Sequence, residues 1–414
     1  MNRLIAISSH LFPSEPSDGR VGSIELNIWL AQISGVPILG FRQQSKISEI
    51  MLLFYGLIVL SVVTVFYTAF EIYDLVLCRN DLDAVTQNIC MSLTHVAGLT
   101  KIINTFYRNA EIRQVVERIK LATQKYVVSK NQRKTFFRGE FENKIPLLIY
   151  ILIVGFTGCL AFGMLLYNPT NVAGKIFPYR VILPTWIPYY LQLAYMGGSV
   201  LIQALQIVAT DYLNINLINQ IRFQLKILNI SFEDLMLDTD EKPGPRPLVL
   251  KTPANLAITP HMRLIAIIEH HCLLMRLRAD VESIFRLPIL MQFFTSVIIF
   301  AMTGFQATVR TDGSQGAVLI YFYCGCILCE LFLYCWFGND VYEQSHTLSM
   351  SGYNASWYQF DQSFKKSLLI FLSNAQRPFV FTAGGFMGLL LTSFTGILSK
   401  SYTYIAVLQR LYGK

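Results

Sequence analysis

Seven runs of apolar residues, each about 20 residues long, recur along this chain and leave it few ways to fold. They cover 50–73, 84–106, 146–167, 186–212, 287–308, 317–337 and 389–410. A run of that length crosses a hydrocarbon core as a helix, because a helix satisfies its own backbone donors and acceptors where water is absent. Charged residues make up only 14% of the chain and its mean hydropathy is +0.44, against a charged share of about 25% in soluble domains. The expected fold class is therefore an all-α membrane protein with seven transmembrane helices.

Two of the runs are less greasy than the rest. The second carries Asn88, His95, Lys101 and Asn104, and polar groups at that depth need partners within the protein. The last carries Lys400, Gln409, Arg410 and a series of hydroxyls, and 389–412 would measure ~36 Å as a helix. Charge at membrane depth faces protein or a water-filled path, which makes this terminal helix the candidate pore.

Loop charges set the orientation. Twenty-six Lys and Arg residues fall in the N-terminal arm and the second, fourth and sixth loops, against four (Arg79, Lys175, Arg180 and Arg310) in the others. The positive-inside rule then places the N-terminus in the cytoplasm and the C-terminus outside. A G-protein-coupled receptor, the other seven-helix rival, would need the opposite orientation. The sequons at Asn229 and Asn354 fall in loops read as cytoplasmic, and Pro169 blocks the one at Asn168. The first twenty residues lack the apolar core of a cleaved signal peptide, so the first membrane helix is expected to act as the insertion signal.

Several other signals have ordinary explanations. The net charge of +8 resides in particular loops of a membrane protein, so no nucleic-acid partner is expected. Cys324, Cys326, Cys329 and Cys335 crowd one apolar run with metal-like spacing, but their greasy neighbours offer no polar second shell, so they read as packing residues. Cys78 and Cys90 flank a short loop, and a bridge between them is left open. His270 and His271 are adjacent and lie about 100° apart on a helix, which favours packing or capping over a shared ligand. No catalytic or phosphate-binding constellation is present, so an enzyme is not expected, nor is any cofactor. A secondary transporter is the rival on hydrophobicity, but no internal repeat is found.

The organisation reads as a cytoplasmic arm (1–47), helices one to four (48–212), cytoplasmic helices (213–286), helices five and six (287–338), further cytoplasmic helices (339–378) and the last helix (379–414). The fourth span continues as an amphipathic helix past Arg222, and Pro260 opens a second helix that leads into the fifth span. A helix is also expected over 361–376, and Pro378, Gly384, Gly385 and Gly388 break the chain before the final span.

Tyr334-Cys-Trp-Phe-Gly-Asn after the sixth span, Tyr353 with Trp357-Tyr358, Gln376-Arg-Pro-Phe, and Thr382-Ala-Gly-Gly-Phe leading to Lys400-Ser-Tyr-Thr-Tyr404 occur in order near the C-terminus. Together with the inverted seven-helix topology they resemble the insect odorant receptor family. That resemblance implies a tetrameric ligand-gated cation channel in the plasma membrane of olfactory neurons, with a cytoplasmic anchor layer and a pore lined by the last helices. It places Tyr404, Val407, Leu408 and Arg410 along the pore, with the constriction at Val407. The family's glutamine near this end is matched one residue early, by Gln409, and Arg410 takes the pore-facing position. Four arginines in one ring would oppose cations, and the fourth loop lacks the long insertion of the co-receptor. The chain therefore reads as an odour-tuning subunit that works beside a co-receptor, rather than as a homomeric gustatory-type channel.

The resemblance also places a small volatile organic ligand among helices two to six, in the outer half of the subunit. Val85, Ile89 and Met91 are the expected contacts on the second helix, and Phe156, Cys159, Leu160 and Gly163 on the third. The fourth offers Tyr190, Leu193, Ala194 and Gly197, the fifth Phe294, Ile298 and Met302, and the sixth Tyr321, Cys324 and Leu328. Tyr190 and Tyr321 are the expected polar handles, and membrane lipid is the remaining partner.

Overall fold

The computed structural model describes residues 22–41, 46–80, 82–167, 188–240, 259–309 and 315–412. Helix α1 spans Gly22–Ile33. Helices α2 (Lys46–Val59) and α3 (Phe66–Leu77) are joined by a π-helical turn, Leu60–Val65, into one span. Then come α4 (Leu82–Tyr107), α5 (Asn109–Tyr126), α6 (Lys130–Tyr167) and α7 (Tyr189–Asp240). Beyond them lie α8 (Pro260–Val309), α9 (Gln315–Asn354), α10 (Gln362–Ala375) and α11 (Leu391–Tyr412).

Among the described residues each of the seven apolar runs lies on a helix apart from one or two residues at its start in the fourth and last. Five stretches, Lys46–Leu77, Lys130–Gly163, Tyr190–Leu235, Pro260–Gln306 and Val318–Gln359, are long and apolar enough to cross a membrane on length and composition alone. The other two runs lie on α4 and α11, the two flagged above as polar. The fold is all-α and that of a multi-pass membrane protein.

Four of the helices run far beyond the thickness of a bilayer. Helix α7 has 52 residues, α8 50, α9 40 and α6 38, so the longest measures ~78 Å. Their extensions pack with α1, α5 and α10 into a basal layer. Helix α9 continues from the sixth span to Asn354, into the stretch read as cytoplasmic helices. Pro260 opens α8 as expected, and Pro288 lies inside the same helix.

Helix α7 is the central post. From Val208 to Leu225 its residues are buried on every side except Arg222, which is half-buried, so its polar side chains must find partners. Three of them, Asn216, Gln220 and Gln224, stand four apart and do so, while neither amide atom of Asn219 has a partner among the described residues. Asn216 accepts from Ser23 on α1 at 3.2 Å and from Asn143 on α6 at 2.6 Å. Gln220 reaches Ser23 and Glu140, and Gln224 donates to Thr123 on α5 at 2.8 Å and bonds His270 on α8 at 3.0 Å. Burial pushes the Glu140 carboxyl up, and the donors Gln220 and Ser23 act against that. His270 also stacks flat on Tyr126 at 4.0 Å, while His271 packs against Phe371 and Phe379. The histidine pair is thus a packing pair, with the two rings on different faces.

Asn88, His95, Lys101 and Asn104 of the second run each have a protein partner. Asn88 donates to Asp74 at 2.7 Å, and His95 meets Glu71 at 2.6 Å. Lys101 pairs with Asp211 at 2.6 Å and Glu330 at 2.7 Å, and Asn104 donates to the carbonyl of Ile284 at 3.0 Å. The π-turn is served in the same way. Tyr195 and Gln203 of α7 donate to the carbonyls of Val62 and Val63 at 2.6 and 2.9 Å, and a carbonyl exposed by irregular helix needs such a donor inside a membrane.

Between α10 and α11 the chain forms a short antiparallel hairpin, β1 (Thr382–Ala383) with β2 (Met387–Gly388). Its turn needs glycine, since Gly384 and Gly385 have φ of +65° and +85°. The last element is therefore in two pieces, as the proline and glycines required. Cys78 and Cys90 are both free buried thiols, so the bridge left open by their spacing is not made.

Candidate functional site

A cavity of about 120 Å³, open on one side, lies between α4, α6, α7 and α9, in the half of the bundle away from the basal layer. Each helix contributes one stripe at three- and four-residue spacing, as side chains on one helical face must. Helix α4 gives Met91, Thr94 and His95; α6 gives Tyr150, Val154, Thr157, Gly158 and Ala161. Helix α7 gives Val200, Leu201, Ala204, Ile207 and Val208, and α9 gives Leu319, Tyr323, Cys326, Ile327 and Glu330. Small residues make the room: a side chain at Gly158 would bring its Cβ within 2.8 Å of Leu201.

Most of this wall is hydrocarbon, with a few polar atoms held in place. Thr94 and Tyr323 face each other at 2.6 Å, and Thr157 bonds the Ile153 carbonyl at 2.8 Å. His95 is fixed by Glu71 and packs edge-on against Tyr67 at 5.9 Å. Glu330 is tied to Lys101, which also holds Asp211, and Tyr334 donates to Asp211 at 2.9 Å. This charged floor links the cavity to the Tyr334 motif. Cavities of about 150 Å³ with apolar walls admit benzene, so a monocyclic or short-chain molecule is the right size here.

Met91 is the residue of the expected contact set that lines this cavity. Leu193 and Gly197 are buried higher on α7, with Gly197 closely approached by Phe162. Val85, Ile89, Leu160, Ile298, Met302, Cys324 and Leu328 are half-buried, and Cys324 lies 3.8 Å from Thr303 on α8. Phe156, Cys159, Gly163, Tyr190, Ala194, Phe294 and Tyr321 are exposed on the outside of the bundle. The two expected handles are among these, with Tyr190 81% and Tyr321 59% exposed, and the tyrosines that line the cavity are Tyr150 and Tyr323. Helix α8 contributes no residue to the wall.

The signal for the right face was a polar one. Thr94, Thr157 and Tyr323 mark the inward stripes, whereas apolarity alone cannot separate a lipid-facing from a protein-facing side. On α6 the expected stripe 156, 159, 160, 163 and the observed stripe 154, 157, 158, 161 differ by two residues, about 200° around the helix.

Helix α11 packs on α8 and α9 through Phe394, Ile397, Leu398, Ser401 and Ile405; Ile405 sits over Gly304, and Phe394 meets Phe332 edge-on at 5.7 Å. Its other side is open. Thr392, Thr395, Ser399, Lys400, Tyr402, Thr403, Tyr404, Val407, Gln409 and Arg410 are exposed there. Tyr404, Val407 and Arg410 follow one another at three-residue steps along this open side, while the side chain of Leu408 lies outside the described residues. Among the described residues no three His, Cys, Asp or Glu side chains converge to hold a metal ion.

The sequence model of the 7tm odorant receptor family matches residues 81–402. The chain is 26% identical over 247 residues to odorant receptor 85b of Drosophila melanogaster, a match that covers 58% of this chain and 59% of that one. With odorant receptor 59a of the same fly it shares 22% over 342 residues, covering 78% and 82% of the two chains. The match thus spans little more than half the length of the first of these relatives. Olfactory receptor OR5 of Machilis hrabei, solved in complex with eugenol, superposes with a TM-score of 0.80 at 15% identity, over 94% of this chain and 97% of that one. At that identity the likeness speaks for the fold.

Proposed function

The chain belongs to the 7tm odorant receptor family, and from that membership we propose that it is the odour-binding subunit of a ligand-gated, non-selective cation channel formed with a co-receptor subunit. The observation that carries this reading is the apolar cavity between α4, α6, α7 and α9. It is the size of a small volatile molecule, is lined by hydrocarbon with a few fixed polar atoms, and so suits selection by shape and dispersion.

The rest of the reading follows the charge distribution. The basal layer carries most of the Lys and Arg and faces the cytoplasm of the neuron's plasma membrane, with the cavity in the outer half. The open polar side of α11 lines the pore, with Val407 at its constriction and Arg410 beyond it. A ring of four arginines would repel cations, and one or two copies among co-receptor subunits would not block them. A ligand gates the channel only if it binds the open state more tightly than the closed one. The Lys101–Asp211–Glu330 cluster, touching the cavity through Glu330, is the route by which occupancy reaches α9 and the helix packed on it.

Electrophysiology with a panel of volatiles, on cells expressing this chain alone and with a co-receptor, tests the proposal. Odour-evoked current only in the co-expressing cells is expected. Robust current from this chain alone would overturn the subunit assignment, and a cavity filled by Ala204→Phe should silence the response while surface labelling persists.

A further inference from the structure

The polar atoms of the cavity wall differ in where their protons go. Thr94 and Tyr323 lie 2.6 Å apart, and both oxygens are also within reach of the Cys90 carbonyl, at 3.0 and 3.1 Å. Two hydroxyl protons serve two bonds there, one across the pair and one to the carbonyl, whichever oxygen donates across it. Thr157 donates to the Ile153 carbonyl, so the Cys326 thiol, 3.3 Å away, donates to Thr157. His95 is held by Glu71 through Nδ1 at 2.6 Å. Glu330 accepts from Lys101 at 2.7 Å.

Tyr150 is different. It lines the cavity, is 2% exposed, and its hydroxyl has no hydrogen-bond partner among the described residues. A buried phenol normally finds one. Its electrostatic neighbours include Glu330 and Cys326, which line the same cavity. Here a donor has been left for something that enters.

We propose that Tyr150 is the specificity-determining residue of this cavity, its O–H the donor that anchors a small carbonyl compound, a monocyclic or short-chain ketone or aldehyde, through the acceptor oxygen. The inference rests on the cavity being the odour site. A ketone has no proton to give, and Tyr150 is the hydroxyl of the wall whose own proton has no partner, while those of Thr94, Thr157 and Tyr323 are bonded. An alcohol can also donate to lone pairs on Thr94, Tyr323 or Thr157, and it keeps that bond when the Tyr150 hydroxyl is removed.

The test is Tyr150→Phe, which keeps the ring and deletes only the donor, recorded with a co-receptor and checked by surface labelling. The probes are pairs of equal heavy-atom count: benzaldehyde and benzyl alcohol, acetophenone and 1-phenylethanol, cyclohexanone and cyclohexanol. Half-maximal concentrations for the carbonyl members should rise roughly three- to tenfold, as for loss of one neutral hydrogen bond, and those for the alcohols less than about twofold. Equal shifts for both members, no shift for the carbonyls, or a wild-type receptor that answers the alcohols and ignores the carbonyls would each overturn the proposal. Ala204→Phe separates this from the reading beneath it. If filling the cavity silences both classes while Tyr150→Phe does not discriminate, only the role of Tyr150 fails; if it silences neither, the cavity is not the odour site.

Discussion

The side-chain amide of Asn104 donates to the carbonyl of Ile284 over 3.0 Å, and Ile284 stands four residues before Pro288. Proline has no N–H, so the carbonyl one turn back loses its helical donor. Asn104 on α4 supplies the missing donor and lets α8 pass from the basal layer into the membrane without a break. Asn104→Leu should cost about 1–3 kcal/mol, the price of one orphaned buried carbonyl. Asn104→Leu with Pro288→Ala should recover most of that loss, because the helix then satisfies Ile284 itself. Thermal unfolding of the detergent-purified protein checks both, and an additive double variant would mean that the two residues are not coupled.

The hairpin ahead of α11 is bound to α8 by a reciprocal pair. Arg286 donates from its guanidinium to the Gly384 carbonyl at 2.9 Å, and the Gly384 amide donates to the Arg286 carbonyl at 3.2 Å. Thr382 bonds Glu282, and Arg278 bonds both Glu282 and the Val380 carbonyl. Gly385→Ala would place a Cβ 2.6 Å from the Arg286 guanidinium at a φ of +85°. The backbone alone costs about 1–2 kcal/mol, and Arg286 must move. Odour-evoked current should fall several-fold at equal surface labelling, whereas Gly396→Ala, with nothing within 4 Å of its Cβ, should leave it unchanged.

His270 lies outside the membrane span of α8, buried against Tyr126 and Gln224, with His271 and Lys125 as its charged or titratable neighbours. Burial, with those two neighbours, pushes its pKa down to about 3 from the usual 6.5. The unfolded chain therefore takes up a proton below pH 6.5 that the folded chain refuses. Stability is fully present above that pH and falls as the pH drops toward 3, by at most about 1.4 kcal/mol per unit from this group. His270→Gln keeps a donor for Gln224 without the titration. Melting temperatures at pH 7.5 and 5.5 should differ less for the variant than for the wild type.

Spans, breaks and charge asymmetry were legible because each has a local cause. Twenty apolar residues, Pro378 with the Gly384–Gly385 pair, and Pro260 at a helix start all act within one or two turns. The polar demands of the second run were legible too, and Asn88, His95, Lys101 and Asn104 all have partners. The identity of those partners was not, since Glu71, Asp211, Glu330 and Ile284 are brought together by tertiary packing. Of the five helices expected around the ligand, four line the cavity and α8 does not, and Met91 is the expected contact found in its wall. Phe156 and Tyr321 look outward because, among helices apolar all round, hydrophobicity does not tell lipid from neighbour. Tyr150 was missed for a related reason: as the fifth residue of the third span it reads as a membrane-interface tyrosine, and only the unpaired hydroxyl reveals it.

Lys101 holds two carboxylates, Asp211 at 2.6 Å and Glu330 at 2.7 Å, all three buried in the membrane half of the bundle. Removing the ammonium leaves like charges together with no water, which is worse than having none of them. Lys101→Met should therefore cost about 3–5 kcal/mol, the usual effect of breaking a buried pair, and abolish surface expression. Replacing the whole cluster with Lys101→Met, Asp211→Asn and Glu330→Gln should restore much of it, because neutral groups of the same shape can still hydrogen-bond to one another and to Tyr334. If the cluster also couples the cavity to α9, the rescued receptor will reach the surface yet give a weaker odour-evoked current than wild type. Surface labelling and current recorded on the same cells separate the two roles, and a triple variant with full expression and full current would leave the cluster a structural one.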